Sequence, residues 1–121
     1  MIKYSKSHEW ALIEGDRAKI GLTEYGVKEL GEIVYVELPE IHKVVRPGDE
    51  VAVFESTKAA ADFSTPLAGK VLSVNPKLKE GIELLNTSPE AEGWLFEIEL
   101  IHPEDQKKLL TKEDYLSLFN S

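Results

Sequence analysis

Lys58 stands in "VFESTKAAADFS", residues 53–64, between an apolar run and three alanines, with Glu55 and Asp62 on either side. A lysine amine can be a Schiff-base nucleophile, a cationic surface group, or a point of acylation. The first role needs a pKa depressed by burial or by cationic neighbours. Carboxylates close to Lys58 would instead favour its charged form. Acylation needs an amine that protrudes, and the small alanines leave room for an enzyme to reach it. The pattern alone also describes an ordinary solvated lysine, because short motifs match often by chance.

No rival constellation stands out elsewhere. His8, His42 and His102 are scattered, without the H-x-x-x-H spacing of a helix-borne metal site and without a serine elbow. The sequence holds no cysteine, which excludes disulfides, thiolate metal sites and thiol nucleophiles. "NTS" at Asn86 matches a glycosylation pattern by coincidence, since no secretion signal accompanies it.

Positioning Lys58 is a matter of choosing between helix and hairpin. "TKAAAD" favours helix by propensity, but Val51–Phe54 before it and Phe63 with Pro66 after it leave under two turns. The alternative is a hairpin whose tip holds Ser56, Thr57, Lys58 and Ala59. The flanking chain agrees with strands. "WALI" and "RAKIGL" surround Glu14-Gly15-Asp16 as a hairpin, and Ala18, Ile20 and Leu22 alternate with Arg17 and Lys19. Thr23 is an N-cap, Leu22 and Val27 form a hydrophobic staple, and Gly31 is the stop of a short helix near 24–30. "EIVYVEL" is a strand ended by Pro39, and "RPGDE" is a turn. "STPLAGKVLSV" is strand, bend and strand with Gly69 at a turn or bulge, and "NPKLKEG" is loop. "WLFEIELI" places Trp94, Phe96, Ile98 and Leu100 on one face. Helices follow near 104–110, with Pro103 at its first position, and near 112–119, capped by Thr111. In the latter, Tyr115, Leu118 and Phe119 form a stripe expected to dock on the sheet. A Gly-x-Glu-apolar echo at Gly48 and Gly81 hints at two related units, on four positions only.

These elements fit one domain over residues 1–121, with a β core of about 10–101 and a helical segment of about 103–119. The balance of 14 basic and 22 acidic residues gives a net charge of −8. That argues against nucleic acid and suits docking onto basic faces of partner proteins. No apolar stretch approaches a membrane span, and the N-terminus lacks a signal peptide's apolar region. A cytoplasmic location is expected, or a mitochondrial matrix one if a presequence has been removed.

Taken together, "SHEW", "GLTEYGVKELGEIVYVELPE", "ESTKAAAD" with "PLAGKVLSVN", "LLNTSP" and "EGWL" resemble the glycine cleavage system H protein family, in order and from Tyr4 to Phe119. The resemblance implies a mainly β, lipoyl-domain-like flattened barrel or sandwich of two antiparallel sheets, with Lys58 at a hairpin tip. It implies lipoic acid in amide linkage to Lys58, with Glu55, Ser56, Thr57 and Ala59 forming the tip that a lipoate ligase or octanoyl transferase recognises. An amine of reference pKa about 10.4 is protonated at neutral pH, so such an enzyme must bring an activated acyl donor. The implied role is a monomeric, non-catalytic carrier of the aminomethyl group of glycine. A pyridoxal-phosphate glycine decarboxylase loads it, a tetrahydrofolate-dependent aminomethyltransferase unloads it, and lipoamide dehydrogenase reoxidises it. Glu9 and Asp62 match positions lining the pocket of the loaded arm, whose terminal amine is cationic, and Glu9 is expected to contribute more.

Several residues depart from the family pattern. Thr57 replaces the usual valine, Ala61 removes a hydroxyl, Glu29 stands where some members have histidine, and Glu90-Ala91 follow Pro89 without the usual aromatic. A biotin carrier normally flanks its lysine with methionines, and the only methionine here is Met1. A lipoyl relay protein, handing lipoyl groups to other enzymes, shares Lys58 and is the alternative function.

Overall fold

The computed structural model describes Met1–Phe119. Asn120 and Ser121, which the single-domain reading includes, lie outside the described residues. Among the described residues nine strands form two antiparallel sheets. β1 (Ile2–Tyr4), β2 (Glu9–Glu14), β3 (Arg17–Leu22), β5 (Val44–Val45), β8 (Gly69–Val74) and β9 (Phe96–Leu100) make a six-stranded sheet in the order β1-β2-β3-β9-β8-β5. β4 (Ile33–Glu37), β6 (Glu50–Ser56) and β7 (Ala60–Ser64) make a three-stranded sheet with β6 central. The inward-facing residues of both sheets share one core, including Ile20, Phe54, Phe63, Val71, Phe96 and Ile98. This is the expected two-sheet β architecture.

Local chemistry explains most of the elements. The β2–β3 hairpin turns at Gly15, whose φ of +62° is a conformation glycine takes without strain, and Glu14 pairs with Arg17. Trp10 pairs with Gly21 across the same ladder, and a Cβ on Gly21 would sit 2.5 Å from the indole. The indole Nε1 donates to the carbonyls of both Leu22 and Pro89, tying the hairpin to the chain before β9. α1 (Glu24–Leu30) starts as its sequence dictates, with the Gly26 N–H donating to Thr23 Oγ1 at 3.1 Å. It ends at Gly31, φ +88°.

Several details differ from the sequence reading. "NPKLKEG" carries a helical turn, α2 (Lys77–Glu80), and a second, α3 (Leu84–Thr87), follows. Both are single turns, too short to show helical periodicity. Gly69 opens β8 in register with Leu100, and the ladder irregularity falls between Val71 and Ser73. Glycine is needed at 69 because a Cβ would lie 2.6 Å from the Glu99 carbonyl. Pro103–Lys108 is a 3₁₀ helix rather than an α-helix to residue 110, because Leu110 leaves it to exchange hydrogen bonds with Tyr4. In α4 (Lys112–Phe119), Tyr115 and Phe119 face inward, whereas Leu118 is 52% exposed. The Gly48 segment leads into β6 but the Gly81 segment leads into α3, so their echo is not a repeated strand.

Candidate functional site

Lys58 lies at the tip of the β6–β7 hairpin. Glu55 pairs with Ala60, which leaves Ser56–Ala59 to make the turn. Central placement of β6 between β4 and β7, with Phe54 and Phe63 buried, overrides the helix propensity of the alanines. Ser56 closes the loop. Its Oγ accepts from the amides of Lys58 and Ala59, both at 3.1 Å, while its amide and hydroxyl donate to the Ala59 carbonyl. The Thr57 amide donates to the Glu32 carbonyl at 2.9 Å, anchoring the tip to the strand beside it. Thr57, Lys58, Ala59 and Ala60 are all exposed. Among the described residues no carboxylate comes within ion-pair distance of the Lys58 amine, although Glu55 and Asp62 are close in sequence. The lysine stem passes over Gly31, where an added Cβ would come within 2.8 Å of its Cε.

A cavity of about 180 Å³ lies between α1, β2 and β7. Glu9, Glu29, Asp62, His8, Phe54 and Ala61 contribute to its wall. Glu9, only 4% exposed, accepts from Ser5 Oγ at 2.8 Å. Burial pushes its carboxyl above the usual carboxylate range, and the Ser5 and Ser7 hydroxyls oppose that. A buried carboxylate with few donors is poised for a cation. Asp62 borders the same cavity, but strand alternation turns Ala61 and Phe63 inward and Asp62 outward. There it lies against Glu50, whose carboxyl is raised first by the shared hydrogen-bonding contact and then by the like charge. Glu9 and Asp62 are thus brought to one cavity from different sides. Two larger hollows, of about 680 and 550 Å³, flank Leu38 and Pro39 and involve neither Lys58 nor Glu9.

Three groups of supporting residues escaped the sequence reading. Tyr115 OH lies 2.7 Å from His8 Nδ1 and 2.8 Å from Thr23 Oγ1, linking α4, the loop before β2 and the cap of α1. Glu90 accepts from Tyr4 OH with one oxygen and from the first amide of α1 with the other, both at 2.9 Å. It fills the place after Pro89 where an aromatic is usual, and its charge suits a helix N-terminus. Asn86 bonds both the amide and the carbonyl of Ile33, and so acts as a strand partner at the start of β4. No sequence spacing signals these links, which join residues 53 to 107 apart.

Comparison with known proteins places this geometry. The glycine cleavage H-protein family profile matches residues 2–121. The glycine cleavage system H protein of Thermotoga maritima is 46% identical over 115 residues, covering 95% of this chain and 93% of its own. That of Thermus thermophilus is 45% identical over 118 residues, covering 98% and 92% respectively. The crystal structure of the H protein from Mycobacterium marinum superposes with a TM-score of 0.88 at 28% identity, covering 99% of this chain and 97% of that one. Near-complete coverage in sequence and in three dimensions leaves one assignment: the chain belongs to the glycine cleavage H-protein family, the non-catalytic lipoyl carriers of the glycine cleavage system.

Proposed function

We propose that Lys58 is the residue on which this carrier bears its lipoyl group, and that the Glu9 cavity receives the arm when it is loaded. The observation that carries the reading is the exposed lysine on a backbone fixed by Ser56, flanked by Thr57 and Ala59, with no carboxylate pairing its amine among the described residues. Such a tip fits covalent attachment, because an acylating enzyme can grip it without unfolding any part of the sheet. Glu55, Ser56, Thr57 and Ala59 are the groups it would meet. Once attached as an amide, the lipoyl group supplies a strained disulfide able to take up two electrons and a one-carbon unit.

The chain's own residues then hold and shelter. Gly31 gives the lysine stem a notch on the side where Leu30 and Glu29 line the cavity. Glu9 offers a buried carboxylate to the cationic end of the loaded arm, in a charge-assisted hydrogen bond strengthened by exclusion of water. Asp62 and Glu29 add negative charge at the rim. The partners in this reading are a pyridoxal-phosphate glycine decarboxylase, a tetrahydrofolate-dependent aminomethyltransferase, lipoamide dehydrogenase, and a lipoate ligase or octanoyl transferase. A net charge of −8 favours basic docking faces on them. No helix among the described residues is long and apolar enough to cross a membrane.

Intact mass and peptide mapping after production with a lipoate ligase and lipoate test the attachment. One lipoyl group on Lys58 is the expected result. A biotin adduct, an unmodified Lys58 or a lipoyl group on another lysine overturns it. Incubation of the lipoylated protein with glycine and the decarboxylase then separates glycine carriage from a lipoyl relay, since a pure relay need not accept the load.

A further inference from the structure

His8 sits beside Glu9 and has a left-handed backbone, with φ +70°. A residue with a Cβ takes this conformation only against a steric cost, and holds it where its surroundings over-determine it. The turn has a purpose. The His8 amide donates back to the Ser5 carbonyl, Ser5 donates to the Glu9 carbonyl, and His8 offers its own carbonyl to Thr23. This closed loop starts β2 at Glu9 and sends the Glu9 side chain into the cavity wall. The other left-handed histidine, His42 (φ +77°), is exposed and lines no wall of this cavity.

The His8 side chain is restrained from the C-terminal helix and from α1. Tyr115 OH meets His8 Nδ1 at 2.7 Å and Thr23 Oγ1 at 2.8 Å, and Thr23 Oγ1 in turn accepts from the Gly26 amide. If Tyr115 donates its one proton to a neutral His8 Nδ1 and accepts from Thr23, all three side chains are satisfied. The His8 ring is also held between Tyr25 and Phe119, with centroids 4.7 and 4.6 Å away. The Tyr115 ring itself stacks on Tyr4 at 5.0 Å, so ring and hydroxyl have separable tasks. The ring docks α4, while the hydroxyl reaches the strained residue next to the pocket carboxylate.

We propose that Tyr115 is a positioning residue for the loaded-arm cavity. Through its hydroxyl bond to His8 it fixes the left-handed turn that aims the Glu9 carboxylate. The proposal rests on the cavity reading above, and it makes the C-terminal helix part of the site. Tyr115→Phe keeps the ring stacked and removes only the hydroxyl. His8→Gly tolerates positive φ without any side-chain anchor. The readout is the hydrolytic lifetime of the loaded arm in isolated lipoylated protein, with thermal stability measured alongside. Glu9→Gln, expected to shorten the lifetime about tenfold, tests the cavity reading itself.

Tyr115→Phe is expected to shorten the lifetime about fivefold. The same change made in the His8→Gly background is expected to add less than twofold, whatever it does to the melting temperature. A purely structural role would carry its effect unchanged into both backgrounds. If Glu9→Gln shortens the lifetime and Tyr115→Phe does not, or if the tyrosine change acts equally with Gly at position 8, the positioning role is overturned while the cavity stands. If Glu9→Gln has no effect, both fall.

Discussion

The hairpin tip and the Glu9 cavity are neighbours built by opposite means. The tip is almost wholly local, four residues closed by Ser56 with one bond outward from Thr57. The cavity is assembled from β2, α1 and β7, and His8, one of its wall residues, is held from α4 as well. The tip is exposed and has little to lose beyond its amine. Wherever a carboxylate is buried, by contrast, its ionisation depends on everything packed around it. In the role proposed above, the tip is the region that an acylating enzyme grips and the cavity is the region that receives the loaded arm.

Lys58→Arg gives the sharpest break between them. A guanidinium keeps the charge and the exposure but is not acylated by enzymes that act on an amine. Lipoylation should vanish completely by intact mass, while the urea midpoint stays where it was. A shift in that midpoint would show that the tip is not structurally independent of the core. Phe54→Ala should have the opposite profile. Phe54 points inward from β6, meets Phe63 edge-on at 5.8 Å and also lines the cavity. Its truncation is expected to destabilise by about 3–5 kcal/mol in chemical denaturation. A loss below about 1 kcal/mol would mean that the two regions do not share this support. Asn86→Ala comes next, at about 1–3 kcal/mol, because it leaves the amide and carbonyl of Ile33 without their partner. Ile33 pairs with Ser56, so faster hydrogen exchange should spread to the tip and spare Glu9.

The same contrast governs what the sequence discloses. The β2–β3 hairpin, the Thr23 cap, the Gly31 stop and the turn at Ser56–Ala59 each depend on residues within a few positions of one another, and all were legible. Lys58 as a special lysine was not decided by spacing, since a solvated turn has the same composition. The chain-wide family resemblance raised it above that background. Asp62 is expected at the pocket on the resemblance alone; its outward turn and its contact with Glu50 appear only with the β6–β7 pairing, whose register is irregular between Glu50 and Ala52. The Tyr115 hydroxyl bonds, the Glu90 clamp and the Asn86 pairing join segments far apart in the chain, so no local period announces them. β1 was missed because three residues cannot show alternation, and it is held by pairing with β2 and with Leu110.

Glu9 allows the smallest effect to be read with a definite sign. Burial raises its carboxyl above the ordinary value of 4.5 in the folded protein, so the fold binds its proton more tightly than the unfolded chain does. The stability linked to that proton is fully present below about pH 4.5 and is lost as pH rises through the raised folded value. Glu9→Gln replaces the carboxyl with a neutral group of like shape, so its stability should fall less than wild type between pH 4.5 and neutrality. The two proteins should converge below that window. Glu50, whose carboxyl is also raised, is common to both and cancels in the difference. His8 acts with opposite sign, because burial lowers its pKa from 6.5 and stability is lost as pH falls below that value, again alike in both proteins. Denaturant midpoints measured every half unit across this range make the comparison. A difference that is flat with pH would mean that Glu9 ionises as freely as an exposed carboxylate, and the cavity would then offer a cation no more than the tip does.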